Sequence, residues 1–457
     1  MSAGLVWFRC DLRLGDNPAW AAATSSHERV VALFVADPVL WEGAGAHRRN
    51  QLAAHLGALD GALRSWGGRL RVRRGDPRAV VPAEARALGA ELVLWNGDVT
   101  PYAARRDAAV VERLAGRVEL HAGRFVHAPG RVLTGEGRPF RVFTSFYREW
   151  GAVPWEPWPE AGEARVDGDP GDGLPVGGPP LMEPGETAAE RRLDAFLERV
   201  DGYGEERDRP DLDTTSRLSA DLKFGTISPR LVTARAEGPG AGRQAFVRQL
   251  AWREFYAHLL AAFPGTRRRA MRPEYDRVAW RDDPEGLAAW AEGRTGYPFV
   301  DAAMRQLRAE GWIHNRARMV AASFLVKDLL IDWRLGERHF LRWLVDGDVA
   351  QNVGNWQWVA GTGADAAPYF RILNPVTQGL RFDPDGDYVR RWVPELSRLP
   401  APAVHVPWQA APGVLAAAGV ALGETYPAPI VDHAEAREAT LAAYEAARRQ
   451  AGAEDRR

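Results

Sequence analysis

Residues 153–163, VPWEPWPEAGE, and 168–180, GDPGDGLPVGGPP, consist mainly of proline, glycine and acidic residues and carry no hydrophobic period. Such composition predicts a long surface connection. The chain reads differently on its two sides. Upstream, short apolar runs alternate with Ala/Leu/Arg-rich segments: LVWFR (5–9), VVALFVA (30–36), LRVRRG (70–75), ELVLWNGD (91–98) and VELHAGRFV (118–126). That rhythm predicts a parallel α/β sheet of Rossmann-like kind. Downstream, apolar residues recur at helical spacing, as in RQAFVRQLAWREFYAHLLAAF (243–263) and HNRARMVAASFLVKDLLIDWR (314–334), and alternating strand patterns are absent. The expected organisation is an α/β domain over 1–130, a connection over 131–190, an all-α domain over 191–433 and a helical extension over 434–457, read as a solvated helix that frays.

At 457 residues and 46% hydrophobic composition, the chain can bury more than one core with a large cofactor between. No apolar run reaches 18 residues, and the start MSAGLVWFRCDLR lacks the features of a secretory signal, so a cytoplasmic protein without a membrane partner is expected. The single cysteine, Cys10, excludes an intrachain disulfide and a thiolate metal cluster, and reads as a buried small residue. A formal net charge of -1 means that any nucleic-acid footprint is local. Of the 18 tryptophans, packing explains most, leaving a few to carry chemistry.

No G-x-G-x-x-G follows the first strand, which disfavours an ordinary NAD enzyme. Instead WFRCDLRLGDNP (7–18) ends in a helix-capping pattern, Asp16 and Asn17 ahead of Pro18. The segment 203–230, YGEERDRPDLDTTSRLSADLKFGTISPR, gathers hydroxyls, arginines and glycine before helices. A capping loop is its plainer reading, and a pyrophosphate cradle the sharper one. In 311–334, Asn315, Arg318 and Met319 fall at i, i+3 and i+4, so an amide, a guanidinium and a thioether share one helix face, with Arg316 beside it. The stretch 344–378 places Asp346, Gly347 and Asp348 ahead of Asn352, Trp356 and Trp358. Two carboxylates make a thin metal site, so no metal is expected; carboxylates and an amide suit the edge of a planar heteroaromatic cofactor.

At these residues the sequence resembles the DNA photolyase and cryptochrome family, from residue 4 to about 433, most like the class I enzymes that split cyclobutane pyrimidine dimers. The matching motifs are WFRCDLRLGDNP, TSRLSADLKFGTISPR (215–230), LAWREFYAHLL (250–260), TGYPFVDAAMRQL (295–307), GWIHNRARMVAASFLVKDLLIDW (311–333) and DGDVAQNVGNWQWVAGTGADAAPYFRILNP (346–375). The resemblance implies an antenna domain, a linker and a helical domain that binds FAD, active as FADH⁻, for light-driven repair of UV-damaged DNA by a monomer.

By resemblance, Tyr203, Thr215, Ser216, Arg217, Leu218 and Ser219 hold the FAD phosphates and ribitol, which replaces the capping reading. Arg318 and Asp346 match an ion pair beside the isoalloxazine, Gly347 and Asp348 its edge, and Asn352 the residue facing the central ring nitrogen. Trp356, Trp333 and Trp280 match a relay carrying electrons to photoexcited flavin. Trp252 and Trp358 match the walls that receive a flipped dimer. Asn315 and Met319 match cavity residues of dimer-specific enzymes, while the related (6-4) enzymes carry histidines on this helix. Arg207, Arg253, Arg316, Arg371 and Gln378 match the DNA-facing surface. Gln249 departs from the usual glutamate and resembles the (6-4) enzymes and animal cryptochromes; Cys10 replaces the usual arginine. The segment from Trp95, Asn96, Gly97 and Asp98 lacks the Asn-Glu pair of folate-binding relatives, so a deazaflavin antenna is favoured over folate, with Arg48 and Arg49 fitting only loosely and an empty pocket as the alternative. A (6-4) photolyase and a signalling cryptochrome are the competing readings.

Overall fold

Four times in the first 101 residues a capping side chain precedes a proline: Asn17-Pro18, Asp37-Pro38, Asp76-Pro77 and Thr100-Pro101. Each begins a helix in the computed structural model, which describes residues 2–454, and each cap side chain accepts a backbone N–H two or three residues on. Between these helices run β1 (Ala3–Phe8), β2 (Arg29–Ala36), β3 (Leu70–Arg74), β4 (Leu92–Asn96) and β5 (Val118–His121). They pair in parallel in the order β3-β2-β1-β4-β5. Every residue of β1 is buried, as a central parallel strand covered on both faces requires. Leu5, Trp7, Val31, Leu33, Val93 and Trp95 form the core of one face.

The Gly/Pro-rich connection is mostly irregular, as its composition predicts, yet it is docked. A short β6 (Arg165–Val166) pairs in parallel with β2, and Asp172 N donates to Val72 O at 2.8 Å. Further on, the connection is held by His55, whose Nδ1 accepts from Gly185 N at 3.1 Å, and by Gln51, whose amide donates to Met182 O. Burial, reinforced by nearby Arg192, pushes His55 down to about 3 from an ordinary 6.5. An imidazole that resists protonation in the folded protein contributes stability that is complete above pH 6.5 and is lost as pH falls toward 3. At pH 5 the loss is about 2 kcal/mol. Denaturant melts at pH 7 and pH 5 are expected to show that much less pH dependence in His55→Gln than in the wild type; equal slopes would contradict it.

Contacts divide the chain into two compact units, one of residues 1–204, 216–264 and 345–351, the other of residues 205–215, 265–344 and 352–457. Among the described residues no strand follows β6, in keeping with the helical patterning. The second unit packs helices Pro298–Glu310, Asn315–Ser323 and Trp333–Trp343, and residues 352–360 of the helix Val349–Ala360, around Trp290, Met304, Phe324, Phe340 and Trp356.

Two local expectations need correction. The helix His433–Glu454 is not merely solvated, because Ala436, Thr440, Tyr444 and Ala447 lie along one buried stripe. Cys10 is half-buried instead of buried, and Lys223 Nζ approaches its sulfur at 3.9 Å. Among the described residues no helix is long and apolar enough to cross a membrane.

Candidate active site

In the first unit the turn Asp346–Asp348 is fixed from two directions. Asp348 Oδ1 accepts from Ala350 N at 3.0 Å and Gln351 N at 3.2 Å, capping the helix Val349–Ala360. Its other oxygen lies 3.5 Å from Arg124, whose guanidinium also pairs with Asp98 at 2.9 Å. Arg124 is buried, and its charge holds the Asp98 carboxyl well below the usual carboxylate range despite burial. From helix Ala46–Ser65, Arg48 Nη1 donates to Gly347 O at 3.4 Å and faces Asp346 electrostatically. Arg48 therefore supports the acidic turn. The other antenna candidates also have internal partners: Trp95 packs edge-on to Trp7, Asn96 donates to Asp11 and Asn17, and Gly97 N donates to His121 O. Arg49 is half-buried on the same helix as Arg48.

Arg253, matched to the DNA-facing surface, is half-buried and shares its donors with the chain itself. Its guanidinium donates to Arg124 O at 3.0 Å and Leu222 O at 3.2 Å, while Gln351 donates to its backbone oxygen. Two of its donors are thereby held by carbonyls of the same unit. Next to it Glu254, fully enclosed, accepts from Val126 N, from His127 N at 3.0 Å and from Trp150 Nε1 at 2.8 Å. On the accessible side of the same helix, Trp252 stacks on Phe143 with ring centroids 3.7 Å apart, and Gln249, one turn earlier, donates weakly to Ala245 O.

The phosphate-cradle candidates divide between the units. Tyr203 packs edge-on against Phe196 and Phe246 in the first unit. Ser216 Oγ accepts from Leu218 N, Arg217 takes a left-handed backbone (φ 52°), Leu218 is buried, and Ser219 begins the helix Ser219–Phe224. In the second unit the hydroxyls of Thr214 and Thr215 are buried without a hydrogen-bond partner. Buried unsatisfied hydroxyls fit an oxygen-rich ligand.

In the second unit Asn352 is oriented by a residue that local sequence does not flag. Its Nδ2 donates to Glu337 O at 2.8 Å and to Glu337 Oε1 at 2.9 Å. The acceptor oxygen of the amide is thereby turned away from Glu337. Arg267 pairs with the other Glu337 oxygen at 2.9 Å, and burial raises the Glu337 carboxyl against those two partners. Asp346 lies in the first unit and Arg318 in the second, where Arg318 Nε donates to Ile313 O at 2.8 Å.

The three relay candidates belong to the second unit. Trp356 and Trp333 are buried, and Trp280 is half-buried. Gly336, one turn beyond Trp333 on the helix Trp333–Trp343, lets Trp356 settle against that helix: a β-carbon there would run into the Trp356 ring. Trp280 packs on the same core and meets Tyr444 edge-on.

Asn315 Nδ2 lies 3.7 Å from Met319 Sδ, so the i, i+4 face exists as spaced, with Asn315 exposed. The helix is capped by His314, whose Nδ1 accepts from Arg316 N at 3.1 Å. Burial pushes His314 down to about 4, so it is neutral at physiological pH and no imidazolium stands there. Arg316 pairs with Asp208 at 2.8 Å and lies over Phe382. Arg207 and Trp358 are half-buried, Arg371 is exposed, and the Gln378 side-chain oxygen is buried without a hydrogen-bond partner.

Residues 4–163 match the family described as DNA photolyase, and residues 246–446 the family described as the FAD binding domain of DNA photolyase. The chain is 48% identical over 456 residues to the deoxyribodipyrimidine photo-lyase of Streptomyces griseus, spanning 96% of this chain and 98% of that one. The structure of a bacterial class III photolyase from Agrobacterium tumefaciens matches with a TM-score of 0.91 at 40% identity, over 98% of each chain. An archaeal photolyase from Sulfolobus tokodaii, solved with two FAD molecules, matches with a TM-score of 0.84 at 34% identity, over 97% of this chain and 99% of that one.

Proposed function

This chain belongs to the DNA photolyase family, and we propose from that membership how its residues split cyclobutane pyrimidine dimers in DNA. Its activity is light-driven repair, a carbon–carbon lyase reaction, with FAD as cofactor. When bound, reduced FAD supplies a light-absorbing one-electron donor that is restored at the end, so the ring opens without net redox change.

The observation that carries the residue-level reading is the amide of Asn352, held by Glu337 so that its oxygen is presented as an acceptor. An acceptor fixed in advance stabilises an N–H on the flavin without reorganisation. Asp346, Gly347 and Asp348, steadied by Arg48 and Arg124, hold the flavin edge with Arg318. Tyr203 and Thr215 to Ser219 hold the phosphates and ribitol, and the unpartnered hydroxyl of Thr215 supports that role.

For the lesion, Trp252 offers a flat face whose other side is already stacked on Phe143, and Trp358 offers a second aromatic surface. A dimer flipped out of the duplex trades base stacking for such walls. Gln249 hydrogen-bonds the dimer and supplies no proton. Asn315 and Met319 contact its bases, and their standing on the helix where (6-4) enzymes carry histidines supports cyclobutane dimers over (6-4) lesions.

Arg207, Arg253, Arg316, Arg371 and Gln378 meet the DNA backbone. The domain spans 1–130, 131–190, 191–433 and 434–457 remain our functional division, and we take the protein to act as a cytoplasmic monomer that joins the nucleoid on binding DNA. An antenna chromophore of flavin or deazaflavin type completes the reading; the two FAD molecules of the Sulfolobus relative weigh toward the former.

Dark binding tests the interface. A duplex with one thymine dimer is expected to bind in preference to the undamaged duplex, and equal affinity would contradict the reading. Arg371→Ala is expected to weaken binding to both and to lower the salt slope by about 0.9, the loss of one phosphate contact. An unchanged slope would remove Arg371 from the footprint.

A further inference from the structure

The Gly/Pro-rich connection contributes more than a tether. Its helix Phe143–Ala152 buries Phe143, Phe146 and Trp150, at i, i+3 and i+7, which helical geometry gathers on one face. That face lies along the helix Ala241–Ala262, which carries Gln249 and Trp252. Phe146 meets Phe255 at 5.3 Å and His258 at 5.2 Å between ring centroids, and Trp150 Nε1 donates to Glu254 Oε2 at 2.8 Å. The same buried carboxylate accepts from Val126 N and from His127 N at 3.0 Å. One side chain therefore ties down both the chain ahead of the connection and the helix within it.

At the other end of the buried stripe stands Phe143, 1% exposed. The Trp252 ring lies flat against it, with 3.7 Å between centroids and 8° between planes. One turn on, Tyr147 lies nearly parallel to Phe143 at 5.7 Å and 13°, and the Arg248 guanidinium packs against both rings, 4.9 Å and 5.2 Å from their centroids. Phe255 and Tyr256 flank Trp252 at 5.5 Å each. The indole so held is half-buried, and part of it stays open to solvent.

Taking Trp252 as a wall of the lesion cavity, we propose that Phe143 is a positioning residue for lesion binding, which sets the plane of that wall before the dimer arrives.

A half-exposed tryptophan without a ring behind it has several staggered rotamers to choose from. Freezing it at the moment of binding lowers affinity, whereas a ring already stacked has met that cost in folding. A dimer flipped out of the duplex has given up its base stacking and recovers apolar contact on the walls that receive it. An undamaged duplex keeps its bases stacked and makes no use of the wall. Phe143 therefore bears on the preference for damaged DNA, and not on DNA binding in general. A residue that merely filled the core would move the melting temperature and leave that preference alone.

Dark equilibrium binding of the flavin-loaded protein to a duplex with one thymine dimer, and to the same duplex undamaged, tests this, with the melting temperature and bound flavin recorded for each variant. Phe143→Leu keeps the site apolar and removes the flat face. It is expected to weaken dimer binding on the order of threefold to tenfold, the worth of one aromatic pair, with binding to the undamaged duplex unchanged. Tyr147→Leu, at a half-buried position, should shift the same ratio in the same direction by a smaller factor. Phe143→Tyr keeps the ring and should keep the preference. In a Trp252→Ala background Phe143→Leu should have no further effect, because it acts through that indole. Full dimer preference in folded Phe143→Leu would overturn the positioning role, and so would an effect of Phe143→Leu undiminished in Trp252→Ala. Should Phe143→Leu not fold, an unchanged ratio in Tyr147→Leu overturns it equally. If Trp252→Ala itself keeps full dimer preference, the assignment of Trp252 to the lesion wall is wrong; a preference lost in Trp252→Ala and intact in Phe143→Leu defeats the role of Phe143 alone.

Discussion

Replacing Trp356 by phenylalanine is expected to abolish the photoreduction of oxidised flavin while sparing dimer repair by protein reduced chemically beforehand. The two readouts separate because, as we propose it, the relay of Trp356, Trp333 and Trp280 serves only to restore the active cofactor and takes no part in opening the ring. Phenylalanine preserves most of the packing against Gly336 and Phe340 but is far harder to oxidise than indole. The smaller ring leaves a cavity that costs about 1–3 kcal/mol, so a melt must accompany the measurement. Trp290 lies edge-on to Trp356 at 6.1 Å and is itself fully buried, which makes it the nearest candidate for a bypass. Its indole N–H is committed to Ala321 O, and nothing in the relay assignment depends on it. Photoreduction at the wild-type rate in a folded Trp356→Phe protein would remove Trp356 from the relay.

The second large effect concerns the amide. Asn352→Leu is expected to accelerate loss of the reduced flavin in air by roughly 10- to 100-fold, the equivalent of one hydrogen bond to a charged group worth about 1.5–3 kcal/mol. Leucine keeps the branched shape of the side chain, and it removes both the acceptor that Glu337 orients and the N–H that Glu337 accepts. Glu337→Gln provides the companion test, since it keeps the backbone partner of Asn352 and perturbs only the side-chain partner. It should give an effect of the same sign and smaller size. Bound flavin and the melting temperature are measured alongside. Unchanged air stability in a folded, flavin-loaded Asn352→Leu protein would take Asn352 off the flavin.

Much of the architecture follows from short-range pattern. The strands are legible because a parallel sheet covered on both faces demands continuous apolar runs such as LVWF, and the helix starts because capping residues stand directly before prolines. The contact between Asn315 and Met319 is likewise legible, since helical geometry alone brings i and i+4 together. What escapes is tertiary. Glu337 lies 15 residues from Asn352, and helical period says nothing about which turn of another helix its carboxylate will meet. Arg124 joins Asp98 to Asp348 across more than 200 residues of chain, and no local signal distinguishes it from its neighbours. The carbonyls of Arg124 and Leu222 that accept from Arg253 are equally invisible in its local sequence. The last helix looks solvated for a simpler reason: its buried stripe is built from alanine and threonine around a single tyrosine, too little apolar area to register as a face.

Repair of a defined thymine-dimer oligonucleotide by the purified, reduced protein under blue light, with a dark control and a (6-4) substrate in parallel, tests the central claim most directly. The predicted result is light-dependent loss of the cyclobutane dimer alone, with Gln249 tolerated at the lesion. Flavin photoreduction with no repair of either lesion, or repair confined to the (6-4) product, would contradict it.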